Sequence, residues 1–224
     1  MKKAILAAAC LVSLLFSFLF LNCSDDSSPV GPAHLPVMMP LADGNVWNYA
    51  DTVSGPASLV FVSSMTVTGE TVVTYEDLDY DVFTVDQIDT YNGILSTYFL
   101  RNDEFGLWEF ATACGLDSMF YKQMNAKYPA EIGDEWMKGN FNCDPNQYPT
   151  GFPPGPTTCI AIDSLYTTPA GTFECYLYQY SYDIPMFGLV DIYYFYALDV
   201  GLVAKEFKSG MMNWKTALVD YDLN

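Results

Sequence analysis

Between Thr168 and Asp220 the chain repeats one short unit: a run of strand length in which side chains alternate in character, a turn, and another run. Pro169, Ala170 and Gly171 form a turn, after which Phe173, Cys175 and Leu177 alternate with Glu174 and Tyr176. Asp191–Ala197 comes next, bounded by Gly188 before it and by Asp199 and Gly201 after it. Leu202–Phe207 ends at Ser209-Gly210, and Trp214–Tyr221 completes the series. These runs are rich in β-branched and aromatic residues, and their turns are spaced as a meander requires. A chain whose last quarter is built this way is confined to an all-β architecture: an antiparallel meander forming a curved sheet, an incomplete barrel or a sandwich.

Upstream the same chemistry recurs. Pro40-Leu-Ala-Asp-Gly44-Asn45-Val-Trp47 stops any earlier pairing, turns at Gly44-Asn45, and sends Trp47 and Tyr49 to one face. Pro129-Ala-Glu-Ile-Gly133-Asp134-Glu-Trp136 places proline, glycine, an Asx residue and tryptophan at identical offsets. A duplication and convergent turn chemistry both account for this, because the flanking sequence does not otherwise repeat. Leu59–Val62 and Met65–Thr68 read as strand, with a turn expected at Gly69-Glu70 and further strand over Thr71–Thr74. Leu78, Tyr80 and Val82 alternate with Asp77, Asp79 and Asp81. Ile94–Arg101 and Leu107–Ala111 form a hairpin about Asn102–Gly106, with an ion pair expected for Arg101, the only arginine. Cys114–Met124 fits a short helix through Leu116, Met119, Phe120 and Gln123, or a strand through Ser118, Phe120 and Lys122. Asn142–Thr158 carries Pro145, Pro149, Pro153, Pro154 and Pro156 and is expected to be a loop.

The front of the chain concerns location. Lys2 and Lys3 precede an uncharged, almost wholly apolar stretch from Ala4 to Leu21, then Asn22-Cys23 and an abruptly polar Ser24–Ser28. This resembles a bacterial lipoprotein signal, which implies cleavage before Cys23 and acylation there. Asn22 stands where a smaller residue is usual. Ala7-Ala8-Ala9-Cys10 is a closer local match, but cutting there would leave Leu11–Leu21 exposed. An uncleaved signal anchor, or a secretory signal without lipid, are the other readings of the stretch. The organisation expected is residues 1–22 as signal, 23–36 as acylated cysteine and tether, and 37–224 as a single β domain. Several acyl chains anchor durably, since each buried methylene contributes about 0.8 kcal/mol. The tether is proline-, serine- and aspartate-rich and would span about 40 Å at full stretch. Asp25 and Asp26 match the position of acidic surface-export signals in lipoproteins of some bacteria with two membranes. They serve equally as part of a solvated linker. The expected location is the bacterial cell envelope, on the surface or periplasmic face of the outer membrane.

Charge removes one class of partner. The chain has 27 acidic residues against 9 Lys and Arg, a net charge of −18, and losing Lys2 and Lys3 makes it more negative still. Such a surface repels phosphate backbones, so no nucleic-acid partner is expected. Acidity also keeps soluble a chain with 17 tyrosines and 15 phenylalanines.

No residue pattern points to catalysis. There is no Gly-x-Ser-x-Gly elbow, and the only histidine, His34, lies in the tether without a positioned partner. The cysteines are too dispersed for a zinc site. The Asp77–Asp81 ladder fails as a calcium loop, with Val82 and Ile88 where glycine and glutamate are needed. No catalytic residue, metal or cofactor is therefore expected. Cys143 and Cys159 bracket the proline-rich loop, and in an oxidising compartment a bridge there would stabilise by about 3 kcal/mol. Cys114 and Cys175 could pair or stay buried, and all three pairings of the four remain open. Tyr176, Tyr178 and Tyr180 share a strand face and Tyr193 lies on the next strand. They form either a stacking platform for a ligand or part of a core covered on both sides.

Pro40-x-x-x-Gly44-Asn45-x-Trp47, Ala170-Gly171-Thr172-Phe173 and Tyr196-Ala197-x-x-Val200-Gly201-Leu202-Val203 resemble segments that recur in lipid-anchored β proteins of bacterial envelopes. The resemblance covers about a third of the domain, in turns and strand starts, and implies fold and location without an activity. Asp199 stands where glycine is usual before the Val-Gly pair. The role expected is non-catalytic, binding or structural, with a glycan, a lipid or another envelope protein as partner and the membrane reached through the lipid anchor. The alternatives are a carboxylate-dependent glycan hydrolase and an assembly scaffold for an envelope complex.

Overall fold

The computed structural model describes residues 35–55, 58–90, 93–112, 120–138, 155–184, 188–210 and 212–224. It is all-β, with no helix among those residues. Twelve strands run in chain order: β1 (Val46–Ser54), β2 (Leu59–Tyr75), β3 (Leu78–Asp89), β4 (Ile94–Asp103), β5 (Gly106–Thr112), β6 (Phe120–Lys127), β7 (Glu135–Lys138), β8 (Gly155–Thr168), β9 (Gly171–Ile184), β10 (Gly188–Ala197), β11 (Gly201–Lys208) and β12 (Asn213–Asp222). They form one antiparallel sheet in the order β6-β5-β4-β3-β2-β1-β12-β11-β10-β9-β8-β7. The chain therefore meanders around a nearly closed, barrel-like sheet. First and last strands pair, and the gap lies between β6 and β7.

The two halves, β1–β6 and β7–β12, share one plan. Each opens with the proline-to-tryptophan lead-in, and the repeated residues make repeated bonds. Gly44 N–H donates to Val67 O at 3.0 Å while Val67 N–H donates to Asn45 O at 2.9 Å; Gly133 N–H and Cys159 N–H make the same exchange with Cys159 O and Asp134 O at 2.8 Å each. Both glycines have positive φ, +83° and +94°, which explains why glycine is needed there. A long hairpin comes next in each half, β2–β3 and β8–β9, and its tip folds back over the outer face of later strands.

Val73, Tyr75, Tyr80 and Val82 at the first tip pack on Phe99, Trp108 and Phe110. Tyr166, Phe173, Cys175 and Leu177 near the second tip pack on Phe195, Val203 and Ala204. Here the Tyr166 hydroxyl donates to Glu206 Oε1 at 2.6 Å. Sheet that would otherwise face water on its outside gains apolar cover, so aromatic residues are stable on both faces.

Several expectations are corrected. Gly69 is not a turn: β2 runs through it, with a register shift between Val67 and Gly69 that marks a bulge and bends the strand toward its tip. The turn comes at Glu76 and Asp77, both with positive φ, 51° and 62°, a hairpin turn made without glycine. The end of the ambiguous stretch is strand β6, not helix, and 113–119 lie outside the described residues. Strand β8 begins at Gly155, so Pro156 is in the sheet, near a strand start where proline is tolerated. Arg101 has its guanidinium 5.7 Å from the Tyr80 ring, a cation–π contact in place of the expected ion pair.

The interior core runs from Met38, Met39, Trp47 and Tyr49 across to Tyr178, Tyr180, Ile192, Tyr194 and Tyr196. The start of the domain closes one end of it. Val37 exchanges hydrogen bonds with Asp199, donating to Oδ1 at 3.0 Å and accepting from the Asp199 N–H at 2.9 Å. Trp47 Nε1 donates to Val200 O at 2.6 Å. Asp199 has φ 57°, a left-handed backbone that glycine adopts more readily, and its side chain holds Val37.

Candidate functional site

Alternation along β1 brings Trp47, Tyr49 and Asp51 to the inner face, so a carboxylate succeeds two buried aromatics into the sheet. Asp51 is 3% exposed. Its Oδ2 accepts from Ser63 Oγ at 2.6 Å, and its Oδ1 accepts from Thr216 Oγ1 at 2.5 Å and Trp214 Nε1 at 3.1 Å. Three donors from two neighbouring strands make burial of the charge tolerable.

Beside Asp51 lies a cavity of about 410 Å³. Its walls come from β1, β2, β3, β4, β11 and β12, toward the end of the sheet where β1, β3 and β11 finish. Aromatic and sulfur side chains make up nearly all of its apolar wall: Tyr49, Phe61, Tyr98, Phe207, Trp214, Met65 and Met212. The polar wall groups include Asp51, Ser63, Gln87, Asp89, Thr216 and Lys205. The space opens to solvent past the exposed side chains of Met212 and Trp214, and a concave, mainly apolar surface with convergent polar groups is what small-molecule sites share.

Electrostatically the interior is unusual for so acidic a chain. Lys205 and Lys138 both point inward, with their ammonium groups 5.7 Å and 4.1 Å from the Tyr194 ring. Burial lowers the Lys205 pKa, with Asp51 and Glu109 opposing the shift. Burial lowers that of Lys138 to about 8, with Glu109 opposing and Lys205 adding. Glu109 accepts from Asn125 Nδ2 at 2.8 Å and Gln123 Nε2 at 3.2 Å on one oxygen. Burial also pushes up the hydroxyls of Tyr49, Tyr194 and Tyr196, so all three stay neutral donors.

The residues singled out from sequence lie elsewhere. Tyr178 and Tyr180 are core, at 0% and 1% exposed. Tyr176 is half-buried beside Tyr178 and Tyr128, and Tyr193 is half-buried on the outer face under Lys208. None of the four lines the cavity. Tyr176, Tyr178 and Tyr180 pack instead of forming an exposed stacking row, because the sheet curls around the face that carries them, and Tyr193 stands on the opposite face. Cys159 and Cys175 are buried free thiols. Cys159 belongs to the inner cluster and Cys175 to the outer one, so these two do not bridge. Burial pushes the Cys175 thiol up to about 12, which makes it inert. The expected Cys143–Cys159 staple is not formed at Cys159; Cys143, Cys114, Cys23 and His34 lie outside the described residues. No cluster of metal-binding side chains occurs among the described residues.

The site itself had a signal in the chain: Asp51 and Lys205 are charged residues on strand faces otherwise carried by Trp47 and Tyr49 and by Leu202 and Phe207. Without the register, nothing distinguishes such a residue from a break in the pattern.

No family of known proteins matches the chain, and no curated protein does either. Two solved structures are similar to it. One is a proposed lipoprotein from Parabacteroides distasonis, 16% identical, covering 84% of this chain and 99% of its own, with a TM-score of 0.45. The other is a proposed exported protein with a YmcC-like fold from Bacteroides fragilis, 14% identical, covering 84% and 100%, with a TM-score of 0.46. At this level of likeness nothing about ligand or role passes from them to this chain.

Proposed function

We propose that this is a lipid-anchored protein of the bacterial cell envelope that holds a small amphipathic molecule inside its sheet and performs no chemistry on it. The observation that carries the binding part is the cavity, a space of about 410 Å³ left among side chains that elsewhere fill the interior. A pure scaffold would gain stability by filling that space, since unfilled apolar volume costs packing energy. Asp51 and Asp89 both reach the cavity, but Asp51 is buried and already accepts three hydrogen bonds, which suits a structural acceptor better than a general base. Location rests on the front of the chain, where a basic start, an apolar stretch and Cys23 stand in the order of a lipoprotein signal.

Two measurements test the two parts. The neutral probe N-phenyl-1-naphthylamine should brighten and shift to the blue on adding the protein, and Met65→Trp, which fills the cavity, should abolish the response. Absence of binding by the unaltered protein, together with a co-purifying envelope protein, would favour the scaffold. Labelled palmitate should enter the protein in growing cells and be lost in Cys23→Ser; label retained in that variant would remove the anchor.

A further inference from the structure

Lys205 stands at an inward position of β11, opposite Thr216 of β12 and Tyr194 of β10. Its ammonium is the strongest hydrogen-bond donor on the cavity wall. Among the described residues no carboxylate lies within ion-pairing distance of it, and no acceptor within hydrogen-bonding distance. The nearby carboxylates are engaged elsewhere. Asp51 is filled by Ser63, Thr216 and Trp214. Glu109 accepts from Asn125 and Gln123. Asp89 lies near the cavity end of β3, beyond Gln87. The other groups near Lys205 are the neutral Tyr194 and the second cation, Lys138. Lys205 is half-buried, and partial desolvation without an ion-pair partner disfavours its charged form, as the lowered pKa reflects. An anion arriving on the cavity side would relieve that cost, and the aromatic wall would take the apolar remainder of the same molecule.

Resting on the binding reading above, we propose that the cavity's ligand is a monoanionic amphiphile, with its carboxylate on Lys205 and its hydrocarbon or ring body against Phe61, Met65, Phe207 and Trp214. A single charge is specified because one lysine faces the space while Asp51 stands close by; a phosphate dianion would need further donors that the wall lacks.

The experiment uses the acylated full-length protein and displacement of N-phenyl-1-naphthylamine by three amphiphiles of equal chain length, dodecanoate, dodecanol and dodecylamine, at pH 7. Dodecanoate should displace the probe at a concentration about tenfold lower than dodecanol, the size expected for one charge-assisted hydrogen bond. Dodecylamine should rank last. The acid-to-alcohol ratio, taken within each protein, should fall to about one in Lys205→Met and be largely kept in Lys205→Arg. Because the ranking is read first in the unaltered protein, a variant that fails to fold does not remove the test. Equal displacement by acid and alcohol, amine ranking first, or none of the three displacing the probe overturns the head-group assignment and leaves the cavity reading standing. Failure of the neutral probe itself to bind removes the cavity reading and this one with it.

Discussion

Where β12 meets β1, the two halves are joined by a backbone ladder running from Val46–Asp222 to Ser54–Asn213. Where β6 meets β7, no ladder joins them among the described residues, and side chains span the junction instead. Trp136 Nε1 donates to Met124 O at 3.0 Å, Lys127 Nζ pairs with Asp134 at 2.7 Å, and the Tyr178 hydroxyl donates to Lys127 O at 2.5 Å. The lead-ins to β1 and β7 are alike in residues and in bonds, so they cannot explain the difference. Along the described residues β1 pairs with β12 over nine residues, whereas β7 pairs with β8 alone. One plan used twice thus yields one sealed junction and one clasped junction.

The largest effect belongs to the sealed side. Asp51→Ala removes the acceptor for Ser63, Thr216 and Trp214 and should cost about 3 kcal/mol in urea unfolding, because three donors around a buried site lose their partner together. A loss no larger than that of an exposed substitution would mean the ladder alone seals this junction. The paired tryptophans sharpen the contrast. Trp47→Phe empties a fully buried site and frees Val200 O, for about 2 kcal/mol, whereas Trp136→Phe, at a half-buried site, should cost about 1 kcal/mol. Equal losses would make the two junctions energetically alike.

A titration probes the clasped side. Lys138 ends β7 with its folded pKa lowered to about 8 against an ordinary 10.5. Between those values the unfolded chain holds more protons than the folded one, so the burial penalty is full below about pH 8 and relieved as pH rises toward 10. The thermal midpoint should therefore climb over that window in the unaltered protein, and the climb should shrink in Lys138→Met. Above about pH 10 the buried tyrosines, whose pKa values are raised, reverse the trend. The smallest effect is local. The Asp134 carboxyl is held below its ordinary 3.8 by the Glu131 N–H and then by Lys127, so its contribution is present above that value and disappears as pH falls through the folded pKa. Lys127→Met should leave the unfolding midpoint nearly unchanged while hydrogen exchange quickens in β6 and β7 and not in β1 and β12. Uniform quickening would show that the clasp supports the whole sheet.

Much of this architecture was legible in the chain. The alternation after Thr168 delimits β9 to β12 within a few residues, and the repeated proline-to-tryptophan offsets mark the starts of both halves. The turn at Glu76-Asp77 was hidden because no glycine or proline marks it, and Gly69 misled because a bulge and a turn call for the same residue. The tyrosines of β9 and β10 were ambiguous for a different reason. Period two assigns residues to faces but does not say which face curls inward, and here both are covered. The cavity was least legible of all. Its wall draws on six strands from β1 to β12, and a void is a property of how side chains fail to meet, which no run of residues records.

Every lysine and arginine from Arg101 onward lies against a ring or a carboxylate. Arg101 and Lys122 cover Tyr80, Lys138 and Lys205 face Tyr194, Lys208 and Lys215 sit over Tyr193 and Tyr166, and Lys127 holds Asp134. With these few positive groups engaged and 27 acidic residues in the chain, the molecule carries a strong net negative charge. Two copies brought side by side repel once their surfaces come within roughly 8 Å at physiological ionic strength, since dissolved ions mask the charge beyond that range. Crowding is thus resisted by an ionic cushion that thins as salt rises.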